Sequence, residues 1–268
     1  MLVRLLKYDF RSMLKQFSMI WLAALALALI NSFTVTGLDS TSFRGETVAG
    51  ISMLVYVGVM IAMFVIAVIF VIQRFYKGLL GGEGYLMHTL PVQSWELIAS
   101  KLVCAVAVTF VSIIVAIVSI LLICRSFIDW DGSFFQFMGW LWKNFDGDMM
   151  NAILVLAECL LLLFTGTAKS YLLLYLAMAV GHLAHKNRAG ASVAAYIGIQ
   201  AACNTLIGFA GGFFNNPLFR LIQNFAWESQ GWGGLHITLW IFLAYTVVIA
   251  AVYFFFTNYI LKHKLNLE

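Results

Sequence analysis

The sequence predicts an all-α membrane protein with six transmembrane helices. Of its 268 residues, 63% are hydrophobic and 10% are charged, and the mean hydropathy is +0.95. Soluble globular proteins are about 45–50% apolar and about 25% charged. Apolar runs long enough to cross a bilayer, which takes about 20 helical residues, recur along the chain. No soluble core could bury this much apolar surface, so lipid must be the solvent for much of the chain.

The N-terminal segment 1–17 has the pattern of an amphipathic helix in the membrane interface. Its apolar and cationic positions recur at helical spacing: Leu2, Leu5, Leu6, Met13 and Phe17 against Arg4, Lys7, Arg11 and Lys15. A plain basic flank that only sets topology would lie on the same side of the membrane. The apolar run that follows contains an A-x-A match within it, after a long basic region, so we expect an uncleaved helix rather than a signal peptide.

Six apolar runs are long enough to span a bilayer. They cover approximately residues 18–35, 48–72, 102–124, 151–181, 191–213 and 237–259. The segment 125–148 is rich in Trp and Phe, which predicts a loop on the membrane surface, and its aspartates lack the glycine and closing glutamate of an EF-hand. The segment 211–235 has glycine- and aromatic-rich ends around a short apolar middle, which predicts an external re-entrant or interfacial hairpin.

The basic residues predict the topology. With both termini in the cytoplasm, the cytoplasmic side carries Arg4, Lys7, Arg11, Lys15, Arg74, Lys77, Lys101, Lys186, Arg188, Lys262 and Lys264. The external side then carries only Arg44, Arg125, Lys143 and Arg220, and Lys169 belongs to neither side. This excess agrees with the positive-inside rule. Because the basic residues follow topology, the net charge of +4 does not indicate a nucleic-acid partner.

The segment 74–101, called the polar segment below, has more residues than a simple turn needs, with charges of both signs, aromatic residues and a glycine cluster. We expect its first residues to continue the second membrane helix until Gly81 and Gly82 end it. Pro91 disfavours helical geometry in the residue before it, and Ser94 can cap a short surface helix that starts at Trp95. The glycine cluster lacks the G-x-x-x-x-G-K-[ST] of a phosphate loop, which argues against nucleotide binding here.

Three short motifs follow one another in the polar segment. Their residues are Arg74, Phe75, Tyr76, Lys77 and Leu79, then Gly84, Tyr85, Leu86, Thr89, Leu90 and Pro91, then Ser100, Lys101 and Leu102. Together they resemble the cytoplasmic loop of ABC-2-type transporter permeases, the membrane subunits of small bacterial ABC exporters. The similarity extends more loosely to the amphipathic start, the six crossings and the external hairpin.

The resemblance implies a permease in the bacterial cytoplasmic membrane, paired with a second copy or a paralogue and docked on ABC ATPase subunits. The polar segment would be the coupling element, with Arg74, Tyr76, Lys77, Glu83, Tyr85, His88, Leu90, Pro91 and Trp95 as its candidate coupling residues. ATP and magnesium would be bound by the partner, because six crossings leave too few residues here for a nucleotide-binding domain. We expect no cofactor, catalytic residue or metal site in this chain, and the cargo would be a hydrophobic or amphipathic peptide, drug or lipid.

Glu158 and Lys169 are the only ionisable residues deep within a predicted crossing. They are eleven residues apart, so they share one helix face but lie about 16 Å apart along the axis. Intramembrane charges usually face a cavity, the bundle interior or a partner, which makes both candidates for a substrate path or a dimer seam. A structural hydrogen bond to a neighbouring helix explains them equally well. A membrane-embedded enzyme or an ion-coupled carrier using these two residues is the alternative to an exporter.

The remaining candidates for chemistry have simpler interpretations. His182 and His185 are spaced to share a metal but lie in a basic turn with no carboxylate or cysteine nearby, so we expect interfacial residues. The four cysteines, Cys104, Cys124, Cys159 and Cys203, are widely scattered and are expected to be small buried hydrophobic residues.

Overall fold

The computed structural model describes residues 2–37, 43–81, 93–124, 149–184, 187–213 and 232–263, with the single residues 132, 136 and 139. Within these ranges nearly every residue is helical and there is no strand. The long helices are α1 (Leu2–Gly37), α2 (Phe43–Phe75), α3 (Ser94–Cys124), α4 (Met149–His182), α5 (Arg188–Phe213) and α6 (Trp232–His263). The predicted all-α fold class is therefore confirmed, and each predicted crossing lies within one helix.

Two of the predicted surface segments are continuous with the crossing that follows them. The segment 1–17 and the first crossing form the single helix α1, and the predicted surface helix at Trp95 is the start of α3. Neither stretch contains a glycine or proline before its last residue that would end a helix. Helix α3 begins at Ser94, one residue before the predicted start, and its first turn closes with a hydrogen bond from Glu96 N–H to the Gln93 carbonyl (3.0 Å).

Five of the described helical stretches are long and apolar enough to cross a membrane. They are Leu6–Phe33, Gly50–Leu80, Ser94–Cys124, Met149–His182 and Trp232–His263. The chain therefore has the architecture of a multi-pass membrane protein. Helix α5 is not among the five, although its 26 residues would extend about 39 Å.

The chain forms two compact units, and α2 and α3 each have one part in the first unit and one part in the second. The first comprises Met1–Val71 and Val103–Asp146. In it, α1 packs antiparallel to α2, since Phe17 meets Phe70 (ring centroids 5.4 Å apart) and Asn31 Nδ2 donates to the Ser52 carbonyl (3.2 Å). Trp21 Nε1 donates to Ser112 Oγ on α3 (3.0 Å). An aromatic contact and hydrogen bonds thus join α1 to α2 and to α3.

One stripe of α1 is buried within this first unit. Its residues recur every three or four positions: Asp9, Met13, Phe17, Trp21, Ala24, Ala28 and Asn31. The cations Lys7, Arg11 and Lys15 are exposed, as an amphipathic pattern predicts. The apolar side of residues 9–17 thus packs on protein. The in-plane orientation of segment 1–17 stays a prediction.

The second unit comprises Ile72–Leu102 and Gly147–Glu268. Its centre is α4, which packs against both α5 and α6. Helices α4 and α6 run in the same direction, because Glu158 contacts His236 and Thr165 contacts Thr246 further along both helices. Helix α5 lies between them in the chain, and its Cys203 is 3.0 Å from the hydroxyl of Tyr253 in α6. The polar segment begins and ends in this unit.

Candidate functional site

The start of the polar segment is a wide helical turn. Helix α2 passes into a π-helical turn over Tyr76–Leu80, closed by a hydrogen bond from Gly81 N–H to the Tyr76 carbonyl (2.7 Å). Gly81 then takes up extended backbone geometry, so the helix ends where the sequence predicts. Single π turns of this kind are rare and occur frequently at functional sites.

One side of the polar segment is anchored in the protein interior. Phe75 and Leu79 are fully buried, as are Leu97 and Ile98 at the start of α3. The ring of Phe75 stacks on that of Tyr175 in α4, with centroids 4.0 Å apart and planes 8° apart. Tyr175 lies in the most deeply buried stretch of α4, residues 171–182. Both ends of the polar segment therefore have buried apolar side chains that hold them in place.

Lys101 is buried beside the π turn, which is unusual for a lysine. Only 5% of it is exposed, and a Cβ on Gly78 would lie 2.8 Å from its Nζ. Ser100, also buried, donates to the Leu97 carbonyl (3.0 Å). The lysine and glycine thus bring the two ends of the polar segment into close contact.

The other side of the polar segment is open. Tyr76 and Trp95 are 38% and 43% exposed, and Lys77 is exposed. The Trp95 indole donates to the side-chain carbonyl of Gln93, and the Tyr76 ring meets the edge of the buried His182 (centroids 6.3 Å apart). Two aromatic rings and a cation thus project from an anchored base. Arg74, by contrast, is half-buried in the last turn of α2.

The middle of the polar segment lies outside the described residues. Five of the predicted coupling residues fall there: Glu83, Tyr85, His88, Leu90 and Pro91. Their roles stay predictions. Most of the two predicted external segments, 125–148 and 211–235, also lies outside the described residues, as does His185.

The two predicted intramembrane charges both contact α6, at separate places. The Glu158 carboxylate accepts hydrogen bonds from His236 Nδ1 (2.9 Å to each oxygen) and from Trp240 Nε1 (2.9 Å). Lys169 places its Nζ over the ring of Tyr245, 5.4 Å from the centroid, which is a cation–π contact. Between them, Thr165 and Thr246 are within hydrogen-bond distance (3.2 Å). As the spacing predicts, the two charges do not pair with each other.

His236, Trp240 and Tyr175 belong to these sites but were not predicted from the sequence. His236 lies one residue before the predicted start of the sixth crossing, at Ile237, and Trp240 is one turn further on. The signal that could have found them is the one-turn spacing of two hydrogen-bond donors at the start of an apolar run. No comparable signal marks Tyr175 among the many aromatic residues.

No protein-family model matches the chain, and no curated protein or solved structure matches it either.

Proposed function

We propose that the chain is the transmembrane permease subunit of an ATP-binding cassette exporter in the bacterial cytoplasmic membrane. It would move a hydrophobic or amphipathic cargo outward, using ATP hydrolysed by a separate subunit. The proposal rests on the motif resemblance in the polar segment. One structural observation supports it most: the described part of this segment has a buried base and an open aromatic and cationic side.

A coupling element must satisfy two mechanical requirements. It must offer a contact surface to the ATPase, and it must be stiff enough to pass a displacement on to the membrane helices. Tyr76, Lys77 and Trp95 could supply the contact, since aromatic residues are enriched at the centres of protein interfaces. The stack of Phe75 on Tyr175 joins this surface to α4. ATPase closure would then displace the end of α2 and the start of α3 together with α4, all of which lie in the second unit.

We also propose six crossings with both termini and the polar segment in the cytoplasm. Helices α4 and α6 run in the same direction, and α5 connects them in the chain. The chain must therefore return across the same thickness between them, which supports the inclusion of α5 as a crossing. The excess of basic residues on one side supports the orientation. The segment between α5 and α6 would then remain on the external side, where the hairpin is predicted.

The partners follow from the same proposal. Permeases of the resembled family work in pairs, so a second copy or a paralogue would complete the transport path, and each would dock on an ATPase subunit. Lipid would cover the remaining apolar surface. ATP and magnesium would be bound by the ATPase.

The ion-coupled carrier is the second candidate, and one observation favours it. Glu158 and His236 are two titratable groups in direct contact. They lie within the first three turns of α4 and α6, two helices that are apolar enough to span a membrane. Such pairs occur in proton relays. A carrier of this kind would work without an ATPase, which is the property that separates the two proposals.

The exporter proposal is tested by affinity purification of the tagged chain from its own host. We expect an ATPase with a G-x-x-x-x-G-K-[ST] motif to copurify, and to be lost when Lys77→Glu and Trp95→Ala are combined. Lys262→Glu and Tyr259→Ala are matched controls, because these exposed residues lie near the end of α6 that is proposed to be cytoplasmic. Transport by the purified chain with no ATPase present would refute the exporter and favour the carrier.

A further inference from the structure

Glu158 is a carboxylate held against α6 by two hydrogen-bond donors. The residue lies in a helix long and apolar enough to span a membrane, and its side chain is 14% exposed. In the described part of the chain, its contacts are with His236 and Trp240. No lysine or arginine is among them. Lys169, the other charge of this helix, packs on Tyr245 about three turns away.

His236 holds the carboxylate in place by a hydrogen bond. A carboxylate only accepts hydrogen bonds, so Nδ1 of His236 carries the proton in their contact. Its other nitrogen, Nε2, is buried and meets no hydrogen-bonding group among the described residues. The imidazole therefore fixes the orientation of the carboxylate on the side of α6.

Trp240 supplies the second half of a site. Its indole N–H is directed at Glu158, which holds the ring beside the carboxylate, and yet the residue is 56% exposed. The face of a tryptophan ring is the aromatic surface that attracts cations most strongly. On α4, the exposed residues Leu154 and Leu161 lie about one turn to either side of Glu158. The open surface thus combines one negative charge, one aromatic ring and flanking apolar side chains.

This combination distinguishes between kinds of cation. Calcium takes six to eight oxygen ligands and magnesium demands six in octahedral geometry, while this carboxylate offers two oxygens that already accept hydrogen bonds. A cation that carries its own apolar groups needs no such cage, and its apolar body can lie on the leucines. We propose that Glu158 and Trp240 form a binding site for a small lipophilic organic cation, such as a quaternary ammonium or phosphonium compound.

The inference rests on the proposed exporter only in naming the class of its cargo. Binding itself requires α4 and α6 and no ATPase. The two proposals therefore fail separately: an absence of cation binding contradicts this site, whereas an absence of a copurifying ATPase contradicts the exporter.

The test measures binding to the purified full chain in nanodiscs of phosphatidylcholine. Tetraphenylphosphonium is the probe, and tetraphenylborate, which has the same four phenyl groups and the opposite charge, is its control. We expect saturable binding of the cation and not of the anion. Glu158→Gln should weaken cation binding about tenfold, since one charge contact of about 1.4 kcal/mol is lost while an acceptor for Trp240 is kept.

Two further variants keep the result interpretable. Trp240→Leu should weaken binding about two- to fivefold through the loss of a cation–π contact, and the exposure of the residue favours normal folding. Glu96→Gln removes a carboxylate in the first turn of α3 and should leave binding unchanged. No saturable binding of tetraphenylphosphonium, or equal affinity in the wild type and the folded Glu158→Gln variant, would overturn the proposal.

Discussion

The ring of Phe75, at the last residue of α2, lies face to face with that of Tyr175 in the buried half of α4, with centroids 4.0 Å apart. The two residues are a hundred positions apart in the chain. Their stack fixes the start of the polar segment to the most buried part of the second unit. The proposed transmission of force into α4 depends on this contact.

Phe75→Ala should destabilise the protein by about 3–5 kcal/mol, the range for truncating a fully buried phenylalanine. Tyr175→Leu should remove the stacking partner with less loss of volume. In a double-mutant cycle the two should show a coupling energy of about 0.5–1.5 kcal/mol. Denaturant unfolding in detergent measures both. Phe256→Ala is the control, because Phe256 is 50% exposed and should change stability little. Additive effects of Phe75 and Tyr175 would show that the stack contributes nothing.

Gly181 is required for close packing between α4 and α5. A Cβ at this position would lie 2.4 Å from the backbone nitrogen and 2.5 Å from the Cα of Ser192, and backbone atoms cannot move aside cheaply. Gly181→Ala should therefore force the two helices apart, at a loss of about 1–3 kcal/mol. On the same helix, a Cβ at Gly166 meets nothing within 4 Å, so Gly166→Ala is the matched control. Thermal unfolding compares the two, and equal melting temperatures would contradict the contact.

Trp21 and Ser112 join α1 to α3 by a buried hydrogen bond of 3.0 Å. Ser112→Ala should lower stability by about 0.6 kcal/mol, the average for one side-chain hydrogen bond between membrane helices, and by no more than about 1.7 kcal/mol. Ser18→Ala is a suitable control, since the bond of its hydroxyl among the described residues is to the Lys15 carbonyl of its own helix. Denaturant unfolding in detergent should show a loss of stability in Ser112→Ala and not in Ser18→Ala. An unchanged free energy of unfolding in Ser112→Ala would contradict this prediction.

Trp95→Ala should weaken the affinity for the ATPase subunit by about thirtyfold, since loss of an interface tryptophan removes about 2 kcal/mol or more. The variant should fold normally, because the ring is 43% exposed and its hydrogen bond among the described residues is to the nearby Gln93. Surface plasmon resonance with the purified ATPase measures the affinity, and Tyr259→Ala controls for the loss of an exposed aromatic residue. Unchanged affinity would remove Trp95 from the coupling surface.

Residues in the middle of the polar segment should act on hydrolysis rather than on folding. Replacing Glu83 with lysine, or Tyr85 or Leu90 with a bulky or oppositely charged residue, should uncouple the partner's ATPase. Membrane insertion should be largely unaffected, because the positive-inside bias and the apolar runs remain. ATP hydrolysis by the assembled complex is the readout, with insertion checked in parallel. Normal stimulation in all three variants would count against their assignment.

The helices were predictable because hydropathy alone marks them. Every predicted crossing lies inside one helix, and the end of the second helix falls at Gly81, as its glycine pair predicts. The segment 1–17 and the surface helix that starts near Trp95 continue into their crossings as single helices, because a change from polar to apolar residues does not break a helix that contains no glycine or proline. A change in composition indicates where the chain passes from water into lipid, and a helix can continue across that boundary.

The contacts between helices were not predictable. Glu158 was identified as an intramembrane charge, but its partner His236 is 78 residues away and lies just before the predicted sixth crossing. The Phe75–Tyr175 stack and the approach of Lys101 to Gly78 also join distant parts of the chain. Periodicity within a helix reveals which face is apolar and does not specify the neighbour. Only the packed structure identifies those partners.

The rate of ATP hydrolysis by the purified complex of this chain and its ATPase, in lipid, tests the central claim most directly. We expect the chain to stimulate hydrolysis, and the combined Lys77→Glu and Trp95→Ala variant to abolish that stimulation while Lys262→Glu retains it. A chain that transports its cargo without any ATPase, or an ATPase whose rate is the same with the wild type and the combined variant, would contradict the account.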